Sequence, residues 1–393
     1  MVPPVDSRRF LVLRASLALA VAMGLGRFAY TPILPLMESQ ADLSSASAAT
    51  LATANYLGYL AGAVAAIFGH RLTGSRLSLR LSLVVLVATL ALMPATESVA
   101  CWMVLRFVAG VASAAVFVFT ARVAHQEVGS GGDGVGWVFG GVGGGIALSG
   151  LAILALGPSA DWRVGWLVAA GLAAVLTVAA WTLPAGRASA PAAAGDSSTP
   201  APTPTPTPGA RRRFGWLMAA YFCEGVGYIV SATFLVAAVA SIGTERWLGG
   251  AVWIAVGVAA LPSCVVWIRL SRRHSRVAMM TVALAVQAVA VAVSAVSDSA
   301  AVQLIGALCF GGTFMGIVML ALGEGAVLVG PRAAAIGTAV YGLGQVVGPL
   351  TVAPLLGRGY TSALAVGAGV LALGVVFMIP LLRSSPQPVR TSA

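Results

Sequence analysis

Twelve apolar runs follow one another along the chain, at roughly 10–37, 48–69, 77–94, 99–123, 134–156, 162–184, 214–242, 248–269, 277–297, 300–328, 333–356 and 361–382. A helix that crosses a bilayer needs about 20 predominantly apolar residues, and runs of this length read as such helices. Of 393 residues, 59% are hydrophobic and only 9% charged, with a mean hydropathy of +0.95. A soluble domain does not have this composition and a multi-spanning membrane protein does. The expected fold is therefore an all-α membrane protein with twelve transmembrane helices.

The runs fall into two groups of six, at 1–184 and 214–393, either side of one hydrophilic segment, 185–213. That segment contains Pro200-Ala201-Pro202-Thr203-Pro204-Thr205-Pro206-Thr207-Pro208-Gly209, whose alternating prolines favour an extended linker over a packed core. The net charge of +11 comes from 23 arginines, since the chain has no lysine. Eighteen of the 23 fall on one side if the N-terminus is cytoplasmic, and only Arg163, Arg246 and Arg358 on the other. That bias predicts both termini and the linker on the cytoplasmic side. It also accounts for the basicity without a nucleic-acid partner, because no basic cluster lies on a soluble domain. The Ala-, Gly- and Arg-rich composition points to a bacterial protein of the inner membrane, and Arg8-Arg9 before the first run begin an uncleaved helix rather than a signal peptide.

The halves align with each other at one spacing. Gly24-Leu25-Gly26 matches Gly225-Val226-Gly227, Arg71 matches Arg272, and Gly136, Gly141 and Gly143 match Gly337, Gly342 and Gly344, all 201 residues apart. One shared offset predicts a duplicated six-helix unit, its copies related by a pseudo-two-fold axis along the membrane normal.

With this layout, the basic turns after the second and eighth runs and Arg106-Phe107-Val108-Ala109-Gly110 in the fourth, the chain resembles the major facilitator superfamily. Gly26-Arg27-Phe28-Ala29-Tyr30-Thr31-Pro32, Asn55-Tyr56-Leu57-Gly58-Tyr59 and Glu224-Gly225-Val226-Gly227-Tyr228 are similar to its YbfB/YjiJ-like branch. Two departures stand out: the Gly-rich fifth run lacks the family's proline, and the loop His70-Arg71-Leu72-Thr73-Gly74-Ser75-Arg76 lacks its aspartate. The resemblance implies a secondary transporter working by alternating access, monomeric and without cofactor, and an influence of Arg106 on proton coupling.

Arg27 is the principal site candidate. A guanidinium near mid-bilayer costs at least ~2.5–3.5 kcal/mol, so it must face a protein interior or a watery cavity. Tyr30, at i+3, shares its helix face, and a guanidinium with a phenol suits a carboxylate or another planar oxyanion. The alternative is an internal pair with an acid. Glu224 is the matching acid of the second half, with Tyr228 and Ser231 on its face, directed toward the same cavity as Arg27. A buried carboxyl that can take up and release a proton suits coupling or gating, whereas a permanent ion pair with Arg27 or Arg106 would be structural. Arg106 either serves coupling or reaches the outer interface with its long stem.

Asn55 and Tyr59, and Tyr341 and Gln345, form i, i+4 pairs that line the cavity or bond to neighbouring helices, while Gly58 and Gly62 serve helix packing. Glu324 is expected to latch to Arg272 or Arg273. The glycines of the fifth and eleventh runs let two bundles pack closely and slide. No metal spacing, nucleotide-binding loop or catalytic triad is present, and Cys101, Cys223, Cys264 and Cys309 are scattered. The chain is thus expected to be no enzyme but a transporter of a small organic solute, anionic on the strength of Arg27 and coupled to protons. Drug or metabolite efflux by the same fold is the rival within that class, and a non-transporting membrane sensor the rival outside it.

Overall fold

The apolar runs fold as helices. In the computed structural model, which describes residues 5–68, 75–128, 133–157, 160–184, 207–241, 247–330 and 332–384, the first run consists of α1 (Val5–Leu19) and α2 (Tyr30–Gln40). The other runs are α3 (Ser45–Phe68), α4 (Arg76–Leu92), α5 (Val99–Val123), α6 (Asp133–Leu156), α7 (Trp162–Ala180), α8 (Pro208–Ser241), α9 (Leu248–Arg273), α10 (Arg276–Val296), α11 (Ala300–Val329), α12 (Arg332–Val352) and α13 (Tyr360–Arg383). Among the described residues there is no strand, and 11 helical stretches are long and apolar enough to cross a membrane. The α3 helix, of 24 residues, stands between the first two of them. The end of the molecule at which α8 begins, next to the central linker, is called here the linker side.

The seventh run begins earlier than its hydropathy suggests. Thr207 Oγ1 accepts a hydrogen bond from the Ala210 N–H at 3.2 Å, and Pro208 suits a first helical position because its missing N–H is not needed there. Arg211, Arg212 and Arg213, assigned above to the linker, consequently belong to the first turns of α8. The rest of the linker, 185–206, and the turn carrying Arg71 lie outside the described residues.

The surface is the inverse of a soluble protein's. Val178 is 76% and Val296 83% exposed, while Arg27, Arg106, Glu224, Gln287 and Gln345 are buried. That distribution fits a lipid solvent, in which apolar side chains face outward and ionisable ones face inward.

Backbones approach closely where glycine leaves room. A Cβ at Gly110 of α5 would stand 2.1 Å from the Asn55 carbonyl oxygen, and one at Gly311 of α11 would stand 2.1 Å from that of Val256. Residues 110 and 311, and likewise 55 and 256, are 201 apart. The same reciprocity joins α6 to α9 and α12 to α3. Gly140 and Gly143 of α6 press on Leu261, and Gly342 presses on Leu60, again 201 residues before Leu261. On what would be the axis, Thr31 donates from Oγ1 to the Ala232 carbonyl at 2.7 Å, a residue meeting its own counterpart.

The α6–α9 crossing is tight enough to test. A Cβ on Gly257 would sit 2.2 Å from the Ala147 nitrogen, so Gly257→Leu must push two helix backbones apart. Overpacking of this kind costs about 1–3 kcal/mol or more. Thermal unfolding in detergent should show a clearly lower melting temperature; an unchanged one would mean the helices are not in contact there.

Candidate functional site

The first run is broken where the sequence weakens it. Gly24 and Gly26 lower its helical preference, and Pro32 cannot donate to the carbonyl four residues back. The chain passes through a π-helical turn, Ala20–Leu25, and an irregular turn before α2 begins at Tyr30. Such breaks inside a membrane free backbone carbonyls that neighbouring groups must satisfy.

The fourth run supplies those groups. Ser113 Oγ donates to the Ala22 carbonyl at 2.7 Å, Arg106 Nη1 to Gly26 at 3.0 Å and Arg106 Nη2 to Arg27 at 2.8 Å. Asn55 Nδ2 donates in turn to the Arg106 carbonyl at 2.8 Å. Arg106 is only 2% exposed. It lies in the protein interior as a brace on the broken helix instead of reaching the outer interface. Asn55 belongs to this brace and does not line the cavity described next.

Arg27 turns the opposite way, toward the second half of the chain. Its Nη2 donates to Gln345 Oε1 at 2.7 Å. The rings of Tyr56 and Tyr59 each lie 4.7 Å from its Cζ, and that of Phe28 lies at 5.3 Å. Cation–ring contacts are worth ~2 kcal/mol when desolvated, which offsets part of the burial cost. Among the described residues, however, Arg27 makes that single hydrogen bond, its Nε is buried without a partner, and it forms no ion pair. A guanidinium carries five N–H donors, so most of the fork is uncommitted.

Arg27 and Gln345 line a cavity together with Tyr59, Tyr221, Tyr228, Tyr341 and Phe314. Its volume is about 60 Å³, taken as the space open to the centre of a water molecule. On the second-half side the rings are stacked. Tyr221 and Tyr341 have centroids 4.6 Å apart at 17°, Tyr341 and Tyr228 5.9 Å apart at 18°, and Tyr228 and Phe314 5.1 Å apart at 12°.

Tyr30 is not part of this cavity. Its hydroxyl donates to the Ala48 carbonyl at 2.9 Å and its ring stacks 6.5 Å from Trp166, beside Arg106. The expectation that Tyr30 shares a face with Arg27 assumed an unbroken helix; the turn between them rotates the two side chains apart. Glu224 is fully buried one layer behind the cavity, against Tyr341 and Gln287. Tyr341 and Gln287 approach its oxygens without reaching good hydrogen-bond geometry, and no ion pair joins it to Arg27 or Arg106. Gln287 Oε1 accepts from Thr313 Oγ1 at 3.3 Å, which extends this polar pocket.

On the linker side, Glu324 faces Arg213 at 3.6 Å, a partner other than the expected Arg272 or Arg273. Arg213 became available once α8 proved to start at Pro208. Arg272 lies 3.4 Å from Asp133, which also takes Arg269 at 2.5 Å, so α6 and α9 are pinned together there. Arg273 is exposed at the end of α9. On the far side the halves are tied by Tyr56 and Thr233 at 2.7 Å, by Thr31 and Ala232, and by Tyr360 donating to Glu38.

Tyr56, Tyr221 and Phe314 are site residues that the sequence did not single out. An aromatic side chain within an apolar run reads as core, and no spacing marks these three. Tyr56 alone carried a signal, sitting one residue from Asn55 in a motif already noted.

Residues 19–379 match the model of a family described as "Uncharacterised MFS-type transporter YbfB". Among solved structures, the nucleoside transporter NupG is similar at a TM-score of 0.71 with 10% identity, over 97% of this chain and 100% of that one. A mutant form of NupG is similar at 0.74 with 10% identity, over 94% of this chain and 99% of that one. No curated protein matches the sequence.

Proposed function

The chain belongs to the YbfB family of MFS-type transporters, and from that premise we propose that it moves a small anionic organic solute by alternating access, coupled to protons. It is a multi-pass membrane transporter and not an enzyme. The observation that carries the reading is Arg27: buried, facing a cavity, and, among the described residues, without a counter-ion and with most of its donors uncommitted. An unpaired buried charge costs several kcal/mol, and a bound carboxylate or other oxyanion would remove that cost while filling the fork.

The twelve helices are read as two six-helix bundles related by a pseudo-two-fold axis. The contacts that recur at a spacing of 201 residues support this, because a duplicated unit must make each inter-helix contact twice. Arg27 comes from one bundle and Gln345 from the other, so an anion competing for Arg27 loosens a bond between the bundles. Binding is thereby linked to their rocking, with the glycine-lined α6–α9 crossing as a sliding contact. Opening to the far side requires the Tyr56–Thr233 and Tyr360–Glu38 ties to part. Glu224, behind Tyr341, is the group read here as exchanging a proton when the packing around that ring changes. Arg106 acts on this cycle through the backbone of the broken helix.

The working unit is read as a monomer in a bacterial plasma membrane with both termini cytoplasmic, and the arginine bias supports the orientation. Cysteines introduced at positions 205 and 390 should resist labelling by an impermeant reagent from outside intact cells; ready labelling would reverse the orientation.

The functional reading is tested by a thermal-shift screen of the purified protein against charged and neutral metabolites. A ligand that binds the folded state raises its melting temperature. Stabilising compounds should carry a carboxylate or another oxyanion, and Arg27→Ala should abolish their effect. Stabilisation by neutral or cationic solutes alone would refute an anionic substrate.

A further inference from the structure

We propose that the solute is a planar aromatic carboxylate of a single ring, its carboxylate on Arg27 and its ring lying along the tyrosine and phenylalanine stack. This rests on the anionic reading of the cavity and narrows it.

Three features of the cavity point the same way. The first is the wall that the second half of the chain supplies. Tyr341, Tyr228 and Phe314 are nearly coplanar in orientation, at 18° and 12° to one another, and all three line the cavity. Packing alone commonly sets rings edge to face as readily as in offset stacks. A run of parallel faces beside a void is a platform that accepts one more planar ring, as stacking platforms do for bases of any sequence.

The second is size. A water needs about 10–15 Å³ of such space and takes about 30 Å³ in the liquid. A cavity of about 60 Å³ therefore corresponds to roughly four to six waters, or about 120–180 Å³ of contents. That is room for one substituted six-membered ring and a carboxylate.

The third is the polar inventory. Arg27 offers the donors, Gln345 is the amide that Arg27 now holds, and Tyr59 stands over the guanidinium at 4.7 Å. Arg27 thus presents a charged fork beside aromatic rings in one cavity, which matches a planar molecule carrying a single carboxylate.

The test is isothermal titration of the detergent-purified full chain with four probes: benzoate, cyclohexanecarboxylate, benzamide and propionate. Benzoate should bind about tenfold more tightly than cyclohexanecarboxylate, the gain expected of ring stacking over simple burial. Benzamide, with the ring but without the charge, should bind at least about a hundredfold more weakly than benzoate. Phe314→Leu should bring benzoate down to the level of cyclohexanecarboxylate and leave the latter within about threefold. Circular dichroism confirms that the variant is folded, and the comparison on the unaltered chain stands without it. Cyclohexanecarboxylate binding as tightly as benzoate overturns the aromatic assignment and leaves the anionic one intact. Benzamide binding as tightly as benzoate overturns the anionic reading itself. Binding of propionate with none of benzoate also overturns the proposal, and no binding of any carboxylate overturns both.

Discussion

Arg27→Lys is expected to weaken solute binding about thirtyfold or more, although it preserves the charge. Lysine offers a compact ammonium on a flexible stem, whereas arginine presents a planar fork that grips a carboxylate at two points. The three rings around Arg27, at 4.7, 4.7 and 5.3 Å, also hold a flat delocalised cation better than a strongly hydrated ammonium. A loss of about 2 kcal/mol is the expected order for a displaced partner in a desolvated charge pair. Arg27→Ala should go further and remove binding altogether. Isothermal titration with the most stabilising compound of the thermal-shift screen gives the answer. A lysine variant that binds within about threefold of the original chain would mean that charge alone matters and the fork does not.

Glu224→Gln is expected to separate binding from energy coupling. The amide imitates the protonated carboxyl in shape and cannot release a proton. Glu224 lies behind the cavity wall and not in it, against Tyr341 and Gln287, so the solute site should survive with affinity within about threefold. Solute exchange across proteoliposome membranes should persist, and uphill accumulation driven by a pH gradient should vanish. An accumulating Glu224→Gln variant would place the coupling group elsewhere.

The sequence exposed the scaffold far better than the site. Helix positions follow from hydropathy because lipid imposes one solution on a long apolar run. The repeat was read from other glycines at one spacing; Gly110 and Gly311, which make like backbone contacts and are also 201 apart, were not among them. Arg27, Glu224 and Gln345 could be found because a polar group in such a run has an energetic cost that needs a reason. Facing was less legible. Tyr30 was placed beside Arg27 by helical periodicity, and the break at 26–29 cancels that periodicity. The partner of Glu324 was missed because Arg213 stood in what hydropathy marks as linker, while the Thr207–Pro208 cap starts the helix sooner. Tyr221 and Phe314 were invisible because nothing local distinguishes a ring that lines a cavity from one that fills a core.

Separate work for Arg27 and Glu224, as opposed to a structural pair, is the proposal on which the rest depends. The most direct test compares Arg27→Gln, Glu224→Gln and the double variant by melting temperature and by pH-gradient-driven uptake in proteoliposomes, using the same stabilising solute. A buried ion pair broken on one side costs about 3–5 kcal/mol, and removal of both partners restores much of it. No such rescue is expected: the first variant loses binding, the second loses accumulation, and the double loses both, with melting-temperature changes that add. Recovery of stability and coupled uptake in the double variant would contradict the proposal.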